Sequence, residues 1–258
     1  MFFKTIDFSK YSSIRIGQPT EVLMLEKGDA IPEDRYLIGG ANNLLVSPAP
    51  PPLMMLSKDF AYLLKEDGLL EIGAAMPTGR IVSYTKKQNI AGFEFCSKLP
   101  GTLGGMLAMN AGVKEYEIFN ILHSIKINGT WIKKEKIPYG YRFATLNGIA
   151  TAARFEIQKG FNQNLLNTLL NLRSNQPHNP SAGSAFKNPE DDYAGRLIEA
   201  VGLKGVKKGK MQWSEVHANF LVNLGGGTFQ DAKYLIELAK DKIYETFQIT
   251  LKEEIKIL

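Results

Sequence analysis

Residues 98–112, KLPGTLGGMLAMNAG, hold four glycines, one proline and a single charged residue in fifteen positions. Gly101, Gly104 and Gly105 leave no side chain where the chain turns, so backbone N–H groups there can approach a bulky ligand closely. Leu103, Met106, Leu107 and Met109 then give the following turns an apolar face suited to a core. No Gly-Lys-Ser/Thr follows, so this is not a Walker loop, and it lacks the Rossmann spacing G-x-G-x-x-G. Taken alone it has two readings, a tight loop entering a buried helix or a loop that lines a ligand.

Outward from that stretch, short strands alternate with small-residue turns. Residues 69–72 read as a strand, 73–77 (GAAMP) as a turn, and Thr78 as the N-cap of a helix carrying Ile81, Val82 and Thr85. Downstream, Ile121, His123, Ile125 and Ile127 alternate into Asn128-Gly129, followed by Trp131 and Ile132, which is a hairpin signature. Residues 149–157 alternate again. Upstream, residues 12–25 read as an extended piece, a Gly-Gln-Pro turn and a strand. Strands at 36–38 and 44–46 flank Gly39-Gly40-Ala41-Asn42-Asn43, and this turn is either a pyrophosphate cradle of backbone N–H groups or an ordinary hairpin. SPAPPP, 47–52, is a stiff connector.

The last third predicts a Leu-rich helix at 164–172, then an aperiodic stretch, RSNQPHNPSAGSAFKNP. Ala194, Leu197, Ile198 and Val201 mark a helix, 217–223 a strand, and Thr228 to Asp231 a capping-box start using Asp. A long helix and a terminal strand over 249–258 close the chain.

Composition narrows the function classes. With 258 residues the chain can form one large domain or two to three small ones, and 44% hydrophobic with 22% charged residues is ordinary for a globular protein. The net charge of +5 suits anionic small molecules. The densest basic run, 204–210 (KGVKKGK), is short and has no interleaved aromatics, which argues against nucleic acid. One cysteine, Cys96 in an apolar run, excludes a disulfide framework and predicts a reducing compartment. The N-terminus lacks a signal-peptide core, and no run approaches the ~18 apolar residues of a membrane span. A cytoplasmic location is expected, with no membrane, nucleic-acid or obligate protein partner. Histidines and carboxylates do not cluster at ligand spacing, so no metal is expected.

Three stretches carry candidate chemistry. In 181–189, SAGSAFKNP, Ser184 is accessible between small residues, with donors at Lys187 and Asn188. It is no nucleophile elbow, because G-x-S-x-G and a placed His partner are missing. It reads as a proton donor or anion ligand, or as a loop serine satisfying backbone. Arg142, after Tyr141 in GYR, offers a planar fork for carboxylate or phosphate, or a surface pair. In the ending LKEEIKIL, strand parity puts Glu253 rather than Glu254 on the apolar face.

In order, SSIRIG, IGGANNLLV, KLPGTLGGMLAMNAG, GYR, PSAGSAFKNP, AGRLIEAVGLKGVKKG, SEVHANFLVN and LKEEIKIL resemble the UDP-N-acetylenolpyruvoylglucosamine reductase family over essentially the whole chain, in its shorter second type. The resemblance implies a mixed α+β and α/β architecture: a two-subdomain FAD-binding fold of the vanillyl-alcohol-oxidase type plus a C-terminal α/β substrate-binding domain. Boundaries expected from it are 1–56 joined by about 249–258, then 57–160, then 161–248.

It implies FAD as cofactor, NADPH as hydride donor, and UDP-N-acetylmuramate dehydrogenase activity in peptidoglycan precursor synthesis. By the same likeness Gly39, Gly40, Ala41, Asn42, Asn43 and Leu44 would cradle the FAD pyrophosphate. Pro100, Gly101, Thr102, Gly104, Gly105, Asn110, Ala111 and Gly112 would line the flavin. Tyr141, Arg142, Lys187 and Asn188 would meet substrate, and Ser184, Arg142 and Glu254 would be catalytic, against the parity reading. Several positions depart from the family pattern: a short first subdomain, Ala41 for a glycine, Val113-Lys114-Glu115 after the flavin loop, and Asn175 where a lysine is common. The alternatives are an FAD oxidase on the same fold and a non-catalytic nucleotide-binding relative, whose mark would be loss of Ser184, Arg142 or Glu254.

Overall fold

A computed structural model of the chain describes residues 1–171 and 176–258. It divides into two compact units. Unit 1 comprises Met1–Lys4, Val22–Gly40 and Pro52–Ser174, and unit 2 comprises Thr5–Glu21, Ala41–Pro51 and Asn175–Leu258.

The centre of unit 1 is an antiparallel sheet in the order Thr130–Lys133, Leu122–Ile127, Ala150–Glu156, Leu69–Gly73, Leu63–Glu66. Asn128 and Gly129 both have positive φ, 46° and 84°, which is the twist a two-residue hairpin turn needs, and the predicted hairpin forms there. Helices Thr78–Lys87 and Leu103–Met109 and the 3-10 turn Glu94–Lys98 bury Ile81, Leu103, Leu107, Phe95 and Cys96 with Leu70, Ile72, Ile125 and Phe155 of the sheet. Within the same unit Leu53–Leu56 runs parallel to both Val22–Leu25 and Tyr36–Leu37.

Unit 2 has an antiparallel sheet in the order Ser181–Ser184, Phe220–Asn223, Met211–Trp213, Lys207–Lys208. The 19-residue helix Phe229–Phe247 packs Leu235, Ile236, Ala239 and Ile243 against Trp213, Phe186, Leu197 and Ile198. Its predicted capping box is present: Thr228 Oγ1 accepts from Asp231 N at 3.1 Å and Asp231 Oδ2 from Thr228 N at 3.4 Å.

Four expectations change. The 39–43 turn is no hairpin, because Tyr36–Leu37 pairs with Leu53–Leu56 whereas Leu44–Leu45 pairs with Lys256–Ile257. Thr78 is the first helical residue rather than the cap. Pro77 holds the cap position, and the Thr78 hydroxyl donates to Leu99 O at 2.6 Å. The terminal strand shrinks to Lys256–Ile257 with one bridge, Phe186 to Glu253. The opening residues, not predicted as structure, form a strand Phe2–Asp7 and a short helix Phe8–Tyr11.

One buried carboxyl ties unit 1's loops together. Glu94 accepts from Gly92 N at 2.8 Å and from Asn162 N, the residue before helix Gln163–Asn171, at 2.7 Å. Glu94→Ala removes both acceptors and is expected to cost ~1–3 kcal/mol in urea unfolding, with Glu94→Gln milder because one acceptor survives. An alanine variant as stable as the parent would show that water replaces the carboxyl freely.

Candidate active site

In unit 1 three small-residue turns fit into one another. Gly104 N donates to Ala74 O at 2.8 Å and Leu103 N to Met76 O at 3.0 Å. A Cβ on Gly104 would stand 3.2 Å from Ala74 O, tighter than an ordinary contact, so this close approach favours glycine. A Cβ on Gly39 would stand 2.8 Å from Thr102 Oγ1 and 3.7 Å from Gly105 N, so the 39–40 turn abuts the 101–105 turn. Thr102 caps helix Leu103–Met109 by accepting from Gly105 N, and Gly101 adopts a φ of 123°.

At Gly105 a Cβ would meet nothing nearer than Thr102 Oγ1 at 3.8 Å, which leaves open space along that side of the loop. Residues 39–40 and 98–112 carry no acidic side chain, so no anionic side chain on these adjoining turns of unit 1 would repel a phosphate-bearing ligand.

Asn110 ends that helix in a left-handed conformation, φ 43°, and is fully buried. Its Nδ2 donates to Glu117 Oε2 at 2.7 Å and Gly140 O at 3.1 Å, and its Oδ1 accepts from Phe119 N at 3.2 Å. What Asn110 offers a ligand is therefore the path of the chain it fastens. Tyr141 and Arg142 form the tip of the hairpin joining Tyr139–Gly140 to Phe143–Ala144. Arg142 sits at φ 60°, its Nη2 donates to Gly112 O at 3.1 Å, and its guanidinium lies over the Tyr141 ring.

In unit 2, Ala41 takes φ 51° and its carbonyl accepts from Ser13 N at 3.1 Å. The Ser13 hydroxyl donates to Asn42 Oδ1 at 2.6 Å, so SSIRIG supports the 41–43 part of the turn. Asn43 Nδ2 donates to Glu254 O at 2.8 Å, and Lys256 N to Asn43 O at 2.9 Å. Leu44 is buried in the strand that follows.

Ser184 ends a bulged strand in which pairing jumps from Ser181–Val222 to Ser184–Phe220, with Gly183 at φ 80°. The next carbonyl, Ala185 O, accepts from Glu254 N at 2.8 Å and Ile255 N at 3.3 Å. Ser184 and Glu254 are thus brought together through one residue. Two successive amides converging on one carbonyl mark a bulge, and this displaces Glu254 from simple alternation.

Glu253 is engaged elsewhere, accepting from Lys240 Nζ of the long helix at 2.8 Å. Parity locates Glu253 on the inward face, but that is the face of Lys240. Lys187 N donates to Lys252 O at 2.9 Å, and Asn188 Oδ1 accepts at 3.1 Å from Ala194 N, the first main-chain N–H of helix Ala194–Ala200.

The candidates therefore fall in both units, Arg142 in unit 1, Ser184 and Glu254 in unit 2. Asn175 lies outside the described residues. A cavity of about 1010 Å³ in unit 1, lined by Tyr62, Glu71, Lys126 and Thr151 among others, includes none of the candidates. Among the described residues no three His, Cys, Asp or Glu could hold a metal ion, and no helix is long and apolar enough to cross a membrane.

Sequence reasoning missed Glu117 and Asn219. Asn219 Nδ2 donates to Phe186 O at 2.8 Å and its Oδ1 accepts from Phe186 N at 3.0 Å, clamping the chain two residues after Ser184. An asparagine inside the apolar run HANFLVN was the available signal. His217 Nδ1 accepts from Asn219 N, and burial pushes the imidazole pKa down.

Burial, the largest single influence, would raise the Glu253 carboxyl, but the hydrogen bond from Lys240, a main-chain hydrogen bond and the lysine charge together hold the group below its ordinary value. The side-chain bond to Glu253 raises Lys240. A depressed carboxyl stabilises the fold above its unfolded pKa and loses that contribution as pH falls through the folded value; a raised lysine loses it at high pH. Glu253→Gln should cost up to ~1 kcal/mol at neutral pH, and the difference from the parent should close below about pH 4. A pH-independent difference in thermal midpoint would deny the ion pair any share.

The family model described as UDP-N-acetylenolpyruvoylglucosamine reductase, C-terminal domain, matches residues 176–258. The UDP-N-acetylenolpyruvoylglucosamine reductase of Helicobacter hepaticus is 49% identical over 257 residues, covering 98% of each chain. That of Helicobacter pylori strain 26695 is 44% identical over 258 residues, covering 100% of each. The crystal structure of UDP-N-acetylenolpyruvylglucosamine reductase (MurB) from Thermus caldophilus superposes with a TM-score of 0.85 at 26% identity, covering 100% of this chain and 99% of that one.

Proposed function

The chain belongs to the UDP-N-acetylenolpyruvoylglucosamine reductase family, and from that membership we infer its reaction and the residues that carry it. It is an NADPH-dependent flavoenzyme that reduces UDP-N-acetylglucosamine enolpyruvate to UDP-N-acetylmuramate in peptidoglycan precursor synthesis. Its partners are these small molecules. We place it in the cytoplasm, where NADPH and nucleotide sugars are available. The three-part division, 1–56 with about 249–258, then 57–160, then 161–248, belongs to the same proposal. It is supported by the pairing of Lys256–Ile257 with Leu44–Leu45.

Gly39 to Leu44 would hold the FAD pyrophosphate. Pro100 to Gly105, with Asn110, Ala111 and Gly112, would lie along the flavin. When bound, FAD supplies hydride transfer from NADPH to the outer, CH₂ carbon of the enol ether, which becomes a methyl group. The protein must then stabilise charge on the inner carbon and adjacent carboxylate and deliver one proton.

Arg142 would hold the carboxylate through its planar fork, with Tyr141, Lys187 and Asn188 around the substrate. Glu254, in its acid form, would hydrogen-bond the same developing charge. Ser184 Oγ would give its proton to the inner carbon, completing the lactyl ether. A serine hydroxyl is a weak acid, but an enolate-like carbon is a strong enough base to take its proton. The observation that carries this reading is the Ala185 carbonyl, which fixes the Glu254 main chain beside the residue after Ser184.

Two predictions follow from these roles. Followed anaerobically by absorption, the Ser184→Ala holoenzyme should still bleach with NADPH. Return of the flavin bands on adding the enolpyruvyl sugar nucleotide should slow ~10²–10⁴-fold or more. Equal loss of both half-reactions would remove Ser184 from the proton transfer, and flavin bands that NADPH cannot bleach in the parent protein would favour an oxidase. Glu254→Gln should slow the second half-reaction far more than Glu253→Gln, whose effect should be confined to stability. The reverse ranking would return the catalytic role to Glu253.

A further inference from the structure

We propose that Glu117, acting through Asn110, is a positioning residue for Arg142, a role that rests on the assignment of Arg142 to the reduction. Arg142 is a non-glycine residue at φ 60° on the tip of a hairpin with only two paired residues on each side. Such a conformation persists only where its surroundings over-determine it. The supports converge on one carboxamide. Asn110 Nδ2 holds the hairpin by Gly140 O, two residues before Arg142, while Asn110 Oδ1 holds Phe119 N, and the Phe119 ring packs on Tyr139 at 4.5 Å.

The carboxamide orientation is fixed by chemistry. Two acceptors, Glu117 Oε2 and Gly140 O, require the NH₂ end, and the Phe119 N–H requires the oxygen. Glu117 is therefore one of three groups that hold Asn110 in this orientation, and the one charged acceptor among them.

Glu117 also bears on the other end of Arg142. It is paired with Gly112 in the short hairpin of Gly112–Val113 with Tyr116–Glu117, and a Cβ on Gly112 would stand 2.8 Å from Glu117 Cγ. Gly112 O is the acceptor for Arg142 Nη2. One residue thus borders both supports: its main chain pairs with Gly112, whose carbonyl receives the guanidinium, and its side chain holds the amide that supports the turn. Removing the Glu117 acceptor leaves Asn110 held only by Gly140 O and Phe119 N, which loosens the turn and lets the fork shift from the substrate carboxylate. A misplacement of about 1 Å in a charge-stabilising group costs on the order of 10²-fold in rate.

The test uses the FAD-loaded enzyme and reads each half-reaction, FAD affinity by flavin fluorescence, and thermal midpoint. Glu117→Ala should slow reoxidation by the enolpyruvyl sugar nucleotide ~10–100-fold, with FAD affinity and NADPH reduction near those of the parent. Glu117→Gln, whose carbonyl can still accept from Asn110 Nδ2, should restore most of that rate. Glu117→Met fills the space without an acceptor and should behave like alanine; it serves where the alanine variant does not fold. In an Arg142→Ala background, Glu117→Ala should add little further loss, because both act on one element.

Multiplying losses in the double variant, or parallel falls in FAD affinity and both half-reactions, would overturn the proposal. Near-parent reoxidation by Arg142→Ala itself would overturn the assignment of Arg142 instead, and the double variant separates the two failures.

Discussion

Buried carboxamides hold the parts of this protein that apolar packing cannot. The turns that matter are built from glycine, alanine and serine, which bring little hydrophobic surface to fasten them. Asn110, Asn219 and Asn223 are all buried; Asn110 and Asn223 each bridge backbone groups of separate segments, and Asn219 takes both main-chain groups of Phe186. Asn223 Nδ2 reaches Ile14 O at 3.0 Å while its Oδ1 takes Gly225 N and Gly227 N, both at 2.9 Å. A buried carboxamide left half-satisfied costs on the order of 1–3 kcal/mol per orphaned group, so each must find all its partners at once. That condition makes these loops single-valued, and a site assembled from loops needs that property.

The Ser184 strand shows how such a clamp works with irregular backbone. The bulge at Gly183 and the convergence of Glu254 N and Ile255 N on Ala185 O both break regular pairing. A regular ladder would have alternated the terminal residues cleanly and placed Glu253 as the inward carboxyl of an unbroken strand. Instead Asn219 takes both main-chain groups of Phe186, and Lys240 takes Glu253. Asn219 and Lys240 thus supply specific partners to Phe186 and Glu253 where regular pairing breaks.

What was legible in the chain followed from local physics. Asn128-Gly129 between alternating apolar residues gave the hairpin, and Thr228 with Asp231 gave the helix start, because those signals act within a few residues. The serine loop and the GYR turn were recognisable as motifs, yet their supports were not. Glu117 lies seven residues from Asn110, and Asn219 lies 33 from Phe186, so no spacing rule links them. The separate pairings of Tyr36–Leu37 and Leu44–Leu45 were hidden for the same reason: a turn between two apolar strands looks like a hairpin until the partners from residues 53 and 256 are known. Simple alternation does not run through Glu254 because two amides share one acceptor, Ala185 O, which depends on the path of a chain about seventy residues away.

Strain gathers in the same stretches. Arg15, Ala41, Asn110, Lys114 and Arg142 all take positive φ without being glycine. For residues other than Asn, Asp and Gly this conformation costs roughly 1–2 kcal/mol. Ala41 is informative, since a glycine there would relieve the crowding at no loss of packing beyond one methyl group. Its carbonyl is instead held by Ser13 N, and the neighbouring Asn42 by the Ser13 hydroxyl, so the conformation is imposed from outside the turn. Arg142 is held in the same way, through Gly140 and Gly112. A backbone that external bonds must hold in an unfavourable conformation presents its amides and side chains in one direction only, and losing a single bond lets the local preference reassert itself. The residues that supply those external bonds are therefore as much part of the site as the groups that would touch the substrate.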